Sequence, residues 1–158
     1  MQLFHKPTQT LVEAEIELIA KDDWRAIKKN RFGFDWKTEK HLEVYKLFLP
    51  EDGKILGLMS LADVPEEFRI EINLLESSIE NVGRDKEYEH IAGCLIAFAC
   101  RLAFQRGYQG FVSLTPKTKL IGHYQKAYGF EQFGRQFGTD FYNSKRLFHK
   151  YLEHGDAK

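Results

Sequence analysis

Hydrophobic and polar positions recur at two different spacings along this chain, and the spacing predicts the order of its elements. In residues 11–29, apolar side chains recur among acidic and basic ones at the spacing of a half-buried helix. They are Leu11, Val12, Ile16, Leu18, Ile19 and Trp24. Three aromatic residues around a glycine interrupt this pattern in residues 31–36. This stretch either faces a substrate or anchors a loop on the core, and anchoring is the commoner use.

The next patterns have the spacing of β-strands. Residues 41–50 and 55–64 are apolar, strand-like runs, and the link between them contains Asp52-Gly53. Because Asp-Gly between such runs is typical of a hairpin, we expect two antiparallel strands here. Residues 68–75 alternate apolar and polar side chains, which predicts a third, central strand with one apolar face. Its other face is where chemistry is expected.

Helices and strands alternate in the second half of the chain. Residues 90–106 are apolar or small almost all the way round, which predicts a largely buried helix that stops at Gly107. Residues 111–115 then form a short strand that ends before Pro116. A strand, helix, strand order of this length favours a parallel pair with a right-handed crossover.

The chain is predicted to close with a helix over residues 117–128, a strand from Phe130 towards Tyr142 and a short helix over residues 144–152. Gly129 supplies the cap of the first of these helices. Neither a repeat nor a linker rich in proline and glycine interrupts the order of elements. We therefore expect one α/β domain with a mixed sheet (α+β) that spans residues 1–158.

Charge is balanced and evenly distributed, with 23 basic and 23 acidic residues among 158. This pattern lacks the basic field that captures nucleic acid or anionic lipid, so no nucleic-acid partner and no membrane partner are expected. The first twenty residues mix charged and apolar side chains, unlike a signal peptide or a membrane span. A cytoplasmic protein is therefore the expectation.

The two cysteines, Cys94 and Cys100, lie on the predicted buried helix. Six residues of helix separate them by about 9 Å, which is too far for a disulfide. No further cysteine cluster offers ligands, so we expect no metal site and interpret both residues as small core side chains.

The polar segment of residues 81–89 precedes the buried helix, whose first residues include Ala92 and Gly93. Small residues let the amides at a helix start approach a ligand, and such amides attract phosphate. A nucleotide-type cofactor is therefore the first candidate ligand.

The order of elements, together with the heptad Tyr124-Gln-Lys-Ala-Tyr-Gly-Phe130, resembles the acetyl-coenzyme A-dependent N-acetyltransferase superfamily, the GNAT fold. The resemblance covers residues 55–141, and the heptad is similar to the closing motif of the family. It implies a central mixed β-sheet with splayed parallel strands, flanked by helices. It also implies acetyl-CoA as cosubstrate.

The family holds the cofactor pyrophosphate on a loop of pattern Gln/Arg-x-x-Gly-x-Gly/Ala, and residues 87–92 match it only at the last position. Glu87 replaces a cation or an amide, and His90 replaces a glycine. The loop before them is also longer than usual, so Arg84 or Lys86 is an alternative phosphate ligand. The cofactor-binding residues that the resemblance implies are Leu74, Leu75, His90, Ile91, Ala92, Gly93, Cys94, Ser113 and Tyr124.

Acyl transfer to an amine needs a base, a donor to the carbonyl oxygen and an acid for the leaving thiolate. Glu71 on the central strand is the candidate base, with Glu76 in reserve. Tyr124 is the candidate acid by analogy with the family, and a backbone N–H near Leu75 is the candidate oxyanion donor. Each has a structural alternative: Glu71 as a solvated cross-strand partner, and Tyr124 as a packing residue. For His90 we prefer the structural interpretation.

Three functions compete. The first is an N-acetyltransferase that moves acetyl from acetyl-CoA to a primary amine, on a small molecule or a peptide, by direct attack in a ternary complex. The alternative is a GNAT-shaped binding module that has lost the cofactor. Acylation of charged tRNA ranks last, because it needs a basic surface that zero net charge does not promise.

The acceptor is expected to contact the loop of residues 32–36, the turn of residues 65–67 and a hairpin over residues 133–141. Glu66 and Glu67 indicate, weakly, a cationic acceptor. A homodimer is possible, because three aromatic residues near the end of the chain either form an interface or line the core. They are Phe133, Phe137 and Phe141.

Overall fold

The computed structural model describes residues 1–114, 121–133 and 136–153, without the side chains of residues 121–124, 133 and 136. The strands are β1 Gln2–His5, β2 Thr10–Glu13, β3 Glu15–Leu18, β4 Glu43–Phe48, β5 Ile55–Val64, β6 Arg69–Ser77, β7 Tyr88–Glu89, β8 Val112–Leu114, β9 Glu131–Phe133 and β10 Gln136–Thr139. The α-helices are α1 Ile91–Gln105, α2 Ile121–Tyr128 and α3 Phe141–Phe148. A π-helical turn, His149–Glu153, follows α3.

Seven strands form the main sheet, in the order β3-β4-β5-β6-β8-β10-β9. Only the β6–β8 pair is parallel among these neighbours, and α1 provides the crossover between the two strands. A smaller sheet has the order β2-β1-β7 and brings the N-terminal hairpin against the segment before α1. The mixed α/β architecture predicted from the sequence is therefore confirmed.

The predicted hairpin and the predicted buried helix are both present. β4 and β5 pair antiparallel, and Gly53 in their connection has a φ of 75°, a conformation that glycine adopts at little cost. α1 packs against β5, β6 and β8, and most of its residues belong to the main core. Cys94 and Cys100 are free and buried in this core, where burial raises the pKa of both thiols to about 12. Their interpretation as core residues is confirmed.

The aromatic stretch of residues 31–36 anchors a loop. Phe32 and Trp36 are buried in a second apolar cluster on the face of the sheet opposite α1. Trp36 begins a short 3-10 helix, Trp36–Glu39, whose last residue is also buried. The structure thus supports the anchoring alternative for these two side chains.

The helix predicted for residues 11–29 is wrong. This segment contains β2, β3 and a 3-10 helix, Lys21–Ala26. Glutamates at positions 13, 15 and 17 alternate with apolar residues, which is the period of a strand. The segment forms strands rather than a helix because β2 pairs with β1 and β3 pairs with β4. Strands β1 and β7 were not predicted.

The strand predicted from Phe130 towards Tyr142 does not continue through that segment, because two antiparallel paired strands, β9 and β10, occupy it and α3 begins at Phe141. This pairing agrees with the hairpin predicted there, although β9 and β10 lie nearer the N-terminus than residues 133–141. Phe137 is buried in the core, whereas Phe141 is exposed and the side chain of Phe133 lies outside the described residues. Residues 115–120, which include the start of the predicted helix 117–128, also lie outside them. Among the described helices, none combines the length and the hydropathy that a membrane crossing requires.

Candidate active site

Among the described residues, the two parallel strands pair over three residues each. Ile70, Glu71 and Ile72 of β6 pair with residues 112–114 of β8, whereas β6 continues to Ser77 in pairing with β5. Beyond Ile72, the edge of β6 that faces β8 has no strand partner among the described residues. This is the gap that the GNAT resemblance implies.

A β-bulge at Asn73 changes which backbone amides face this gap. The register between β5 and β6 shifts there, because Leu61 pairs with Ile72 and Ser60 pairs with Leu74. Before the bulge, the amide of Ile70 donates to Phe111 O across the parallel pair (3.1 Å). Insertion of one residue exchanges the two edges of a strand.

After the bulge, the amides of Leu74 and Ser78 face β5. Leu74 N donates to Ser60 Oγ (3.0 Å), and Ser78 N donates to Leu56 O (2.9 Å). Because amides alternate between the two edges along a strand, those of Leu75 and Ser77 face the gap. The Leu75 amide thus faces the gap, and its role as oxyanion donor stays a prediction.

The start of α1 lines a cleft of about 360 Å³, here called the α1 cleft. Its lining includes Ser77 from β6, His90, Ile91 and Ala92 from the helix start, and three residues that the sequence analysis did not assign to a cofactor site. These are Tyr88, Tyr128 and Tyr151. Tyr88 and Tyr151 carry no local sequence signal, and Tyr128 belongs to the heptad of residues 124–130, but only tertiary contacts bring the three to one cleft.

Not all of the predicted helix-start residues are available to a ligand. The Cys94 amide donates to His90 O (2.9 Å), so the amides without an intrahelical acceptor are those of Ile91, Ala92 and Gly93. A Cβ built at Gly93 would lie 2.4 Å from Cε1 of Tyr151, so this glycine also makes room for the tyrosine ring. Of these three residues, Ile91 and Ala92 line the α1 cleft, so the helix start offers their two amides to a phosphate.

His90 occupies the position of a family glycine and has the backbone conformation that glycine favours, with a φ of 81°. Partial burial of the ring lowers the pKa of His90 below its ordinary value, with Glu89 opposing and Lys150 and Lys86 adding to the shift. The ring is therefore neutral at pH 7, and Lys86 is the cation that lines the α1 cleft.

The left-handed conformation of His90 leads to a stability prediction. A Cβ in this region costs about 1 kcal/mol or more. We expect His90→Gly to have a free energy of unfolding about 1 kcal/mol higher than His90→Ala, since both variants lose the imidazole and only one keeps the Cβ. Urea unfolding of the two variants measures the difference. Equal urea midpoints and equal m-values in the two variants would show that a Cβ at this position causes no backbone strain.

The loop before α1 is held by the N-terminal hairpin. Phe4 and His5 of β1 pair with Glu89 and Tyr88 of β7, and His5 Nε2 lies 3.0 Å from Glu87 Oε2. Lys6 Nζ donates to Arg84 O (3.0 Å). The segment that replaces the glycine-rich family loop is thus supported by strand pairing from the N-terminal end of the chain.

The candidate base Glu71 lies in the paired part of β6. It is opposite Ser113 of β8, and Arg69 Nη1 donates both to Glu71 Oε1 (2.5 Å) and to Ser113 Oγ (2.7 Å). Arg69 also binds Glu67. Glu71 and Ser113 are therefore joined by one guanidinium next to the gap, and their catalytic and cofactor-binding roles stay predictions.

The reserve base, Glu76, holds the aromatic loop. Its carboxylate accepts from the backbone amides of Gly33 and Phe34 and from Trp36 Nε1 (2.8 Å). Glu76 also lines a second cleft of about 420 Å³, here called the loop cleft, together with Lys29, Arg31, Leu75, Ser77 and Ile79. Both clefts include Ser77, so they adjoin at the end of β6.

Tyr124, the candidate acid, lies in α2, but its side chain is outside the described residues. The structure therefore leaves its role a prediction. Tyr128, one turn later in the same helix, is buried and lines the α1 cleft. Leu74 packs in the second apolar cluster, while Leu75 packs against the main core, because consecutive side chains of a strand point to opposite faces of the sheet.

No protein-family model matches this sequence, and no curated protein matches it. Solved structures do match the fold. Nourseothricin acetyltransferase is 14% identical with a TM-score of 0.56, covering 77% of this chain and 85% of its own. An IAA acetyltransferase from Bacillus cereus is 17% identical with a TM-score of 0.56, covering 77% and 79%. AtaT complexed with acetyl-methionyl-tRNAfMet is 14% identical with a TM-score of 0.59, covering 86% and 99%.

These comparisons correct one expectation from the sequence. AtaT has been solved with acetyl-methionyl-tRNAfMet, and the AtaT–AtaR complex has been solved bound to DNA. The exclusion of nucleic acid was therefore wrong, because balanced net charge does not describe how charges are distributed over a folded surface. The structural neighbours are acetyltransferases, and AtaTR has been solved with acetyl-CoA. This chain thus has the fold of the acetyl-coenzyme A-dependent N-acetyltransferases, the GNAT fold.

Proposed function

We propose that this protein is an N-acetyltransferase that transfers acetyl from acetyl-CoA to a primary amine by direct attack in a ternary complex. The observation that carries the proposal is the gap beside β6, which begins after Ile72 and adjoins the α1 cleft at Ser77. Such a gap admits a narrow, extended ligand against backbone amides. The acetyltransferase fold of the neighbours supports the same reaction class.

The donor set of the α1 cleft fits a pyrophosphate. The amides of Ile91 and Ala92 at the start of α1 and the ammonium group of Lys86 are hydrogen-bond donors, and phosphate oxygens are acceptors. The aromatic rings of Tyr128 and Tyr151 supply apolar walls. Acetyl-CoA placed with its phosphates here would direct its thioester into the gap, towards the amide of Leu75.

The acceptor amine would enter from the loop cleft, on the other side of Ser77. A base, for which Glu71 is the candidate directly or through a water, removes the ammonium proton. The amine nitrogen attacks the thioester carbonyl carbon, and the Leu75 N–H stabilises the oxygen as it gains charge. The carbon–sulfur bond then breaks, and Tyr124 gives its proton to the departing thiolate.

Titration with acetyl-CoA tests the proposal against the alternative of a binding module. We expect heat of binding and a raised unfolding temperature, because a ligand that binds only the native state stabilises it by about 2.7 kcal/mol at 100 times its dissociation constant. ADP, which keeps the pyrophosphate but lacks pantetheine, and pantetheine, which lacks both phosphates, are the matched controls for the two parts. Absence of both heat and stabilisation at millimolar acetyl-CoA would favour the module.

An amine carried on tRNA is a second candidate acceptor. Lys28 and Lys29 are exposed, and Lys29 lines the loop cleft through which the acceptor would enter. The AtaT complex with acetyl-methionyl-tRNAfMet supports this candidate at the level of fold. Radiolabelled acetyl-CoA offered with aminoacyl-tRNA, or with the same amino acids free, separates the two acceptor classes. For a tRNA-borne amine, activity should fall steeply with salt and in the Lys28→Ala/Lys29→Ala variant.

A further inference from the structure

Glu39 is a buried carboxyl group for which the reaction proposed above has no use. It ends the 3-10 helix Trp36–Glu39, and only 6% of its surface is exposed. Residues of this type are rarely buried unless their oxygens are hydrogen-bonded. The hydrogen-bond partners of Glu39 therefore indicate why it lies inside the molecule.

Those partners belong to the bulge in β6 and to the strand beside it. Glu39 Oε1 accepts from Ser60 Oγ (2.7 Å) and from Asn73 Nδ2 (2.5 Å). Ser60 is fully buried, and its Oγ accepts from the amide of Leu74 (3.0 Å). One carboxyl oxygen is thus bonded to the bulged residue directly, and to the residue after it through a hydroxyl.

This arrangement substitutes for a hydrogen bond that the bulge removes. In a regular antiparallel ladder a strand amide donates to a carbonyl of its neighbour, but the Leu74 amide donates to a side-chain oxygen. The Ser60 hydroxyl can present a lone pair to this amide because its own proton is donated to Glu39. The bulge in turn directs the Leu75 amide into the gap.

We infer that Glu39 is a positioning residue for acyl transfer, which holds the β6 bulge through Ser60 and Asn73 and so aims the Leu75 amide at the acetyl carbonyl. The inference rests on the proposed function, because it presupposes acetyl-CoA in the gap. Glu39 itself does not contact the reacting atoms, since its Oε1 is occupied by two donors and its side chain is buried.

The inference predicts a selective loss of affinity for the acetyl group. Coenzyme A has the same nucleotide and pantetheine as acetyl-CoA but lacks the carbonyl. In Glu39→Leu, which leaves Ser60 and Asn73 without their acceptor, the dissociation constant of acetyl-CoA should rise about two- to tenfold. That of coenzyme A should change less than about twofold. Calorimetric titration of both ligands into each protein measures the pair of constants.

Two further variants test the route of the effect. Ser60→Ala removes the acceptor of the Leu74 amide and should reproduce the selective loss, so it serves if Glu39→Leu does not fold. Glu39→Gln keeps a carbonyl oxygen that can accept from both donors and should retain wild-type selectivity. Ser144→Ala is the matched control, because Ser144 is as fully buried as Ser60 and donates to Gly110 O on another part of the molecule.

The outcomes separate the inference from the proposed function. If the wild-type protein binds neither ligand, the proposed function fails and the inference falls with it. In a second outcome, the wild-type protein binds both ligands while the folded Glu39→Leu and Ser60→Ala variants keep the wild-type ratio of the acetyl-CoA and coenzyme A dissociation constants. That result overturns only the inference. An equal shift of this ratio of dissociation constants in Ser144→Ala would also overturn the inference, since the loss of any buried hydroxyl would then have the same effect.

Discussion

Tyr124→Phe is expected to lower turnover about 100-fold or more while acetyl-CoA affinity stays within about threefold of wild type. A positioned general acid acts on the leaving thiolate only as the carbon–sulfur bond breaks, so its hydroxyl contributes little to ground-state binding. Turnover is measured as release of the coenzyme A thiol with an amine acceptor that the wild-type protein acetylates. Affinity is measured separately by calorimetry, because KM alone mixes binding with chemistry.

Tyr128→Phe is the matched control, since Tyr128 lies one turn later in α2 and lines the α1 cleft. This variant should keep most of the turnover, because the phenyl ring preserves the apolar wall. Equal turnover in Tyr124→Phe and the wild type would remove Tyr124 from the mechanism. Equal losses in both variants would indicate that α2 acts through packing.

Glu76→Ala is expected to reduce the free energy of unfolding by about 2–4 kcal/mol. The substitution leaves the amides of Gly33 and Phe34 and the Trp36 indole without the carboxylate that accepts from them. Hydrogen bonds to a charged group contribute about 1.5–3 kcal/mol each. The expected loss is smaller than the sum of three such bonds, because water can replace the carboxylate as acceptor where the site is exposed. Urea unfolding followed by tryptophan fluorescence measures the loss.

Glu80→Ala controls for the loss of a carboxylate in the same region. Glu80 forms a two-bond ion pair with Arg31 at a partly exposed position, and its removal should cost about 1 kcal/mol. The Glu76 result also bears on the choice of base. A Glu76→Ala protein of unchanged stability but abolished turnover would contradict the structural role and promote Glu76 over Glu71.

Elements that carry one sufficient local signal were predicted correctly from the sequence. Asp52-Gly53 marks a hairpin, the continuous apolar surface of residues 90–106 marks a buried helix, and Gly107 marks its end. These features depend on backbone geometry and on burial all round a helix, and neither needs knowledge of a distant partner. The same local evidence supported the GNAT resemblance, which the structural neighbours confirm as a fold.

Elements whose residues fit both a helical period and a strand period were predicted wrongly. Residues 11–18 carry a helical spacing and a period of two at once, and the presence of β1 and β4 as pairing edges decides between them. β7 has only two residues, and its pairing with β1 defines it as a strand. Such elements are stabilised by inter-strand hydrogen bonds, so their sequences alone do not define them.

For the site, the sequence by itself predicted a helix start that attracts phosphate, the central strand beside it and, through the family resemblance, Leu75 as the region of the oxyanion donor. Only the tertiary structure decided that a bulge at Asn73 turns the Leu75 amide to the gap, and that Glu39 and Ser60 hold this bulge. The physical reason is distance along the chain: a hydrogen bond between residues 39 and 73 requires the chain to be folded before the two meet, and no local pattern of side chains encodes it.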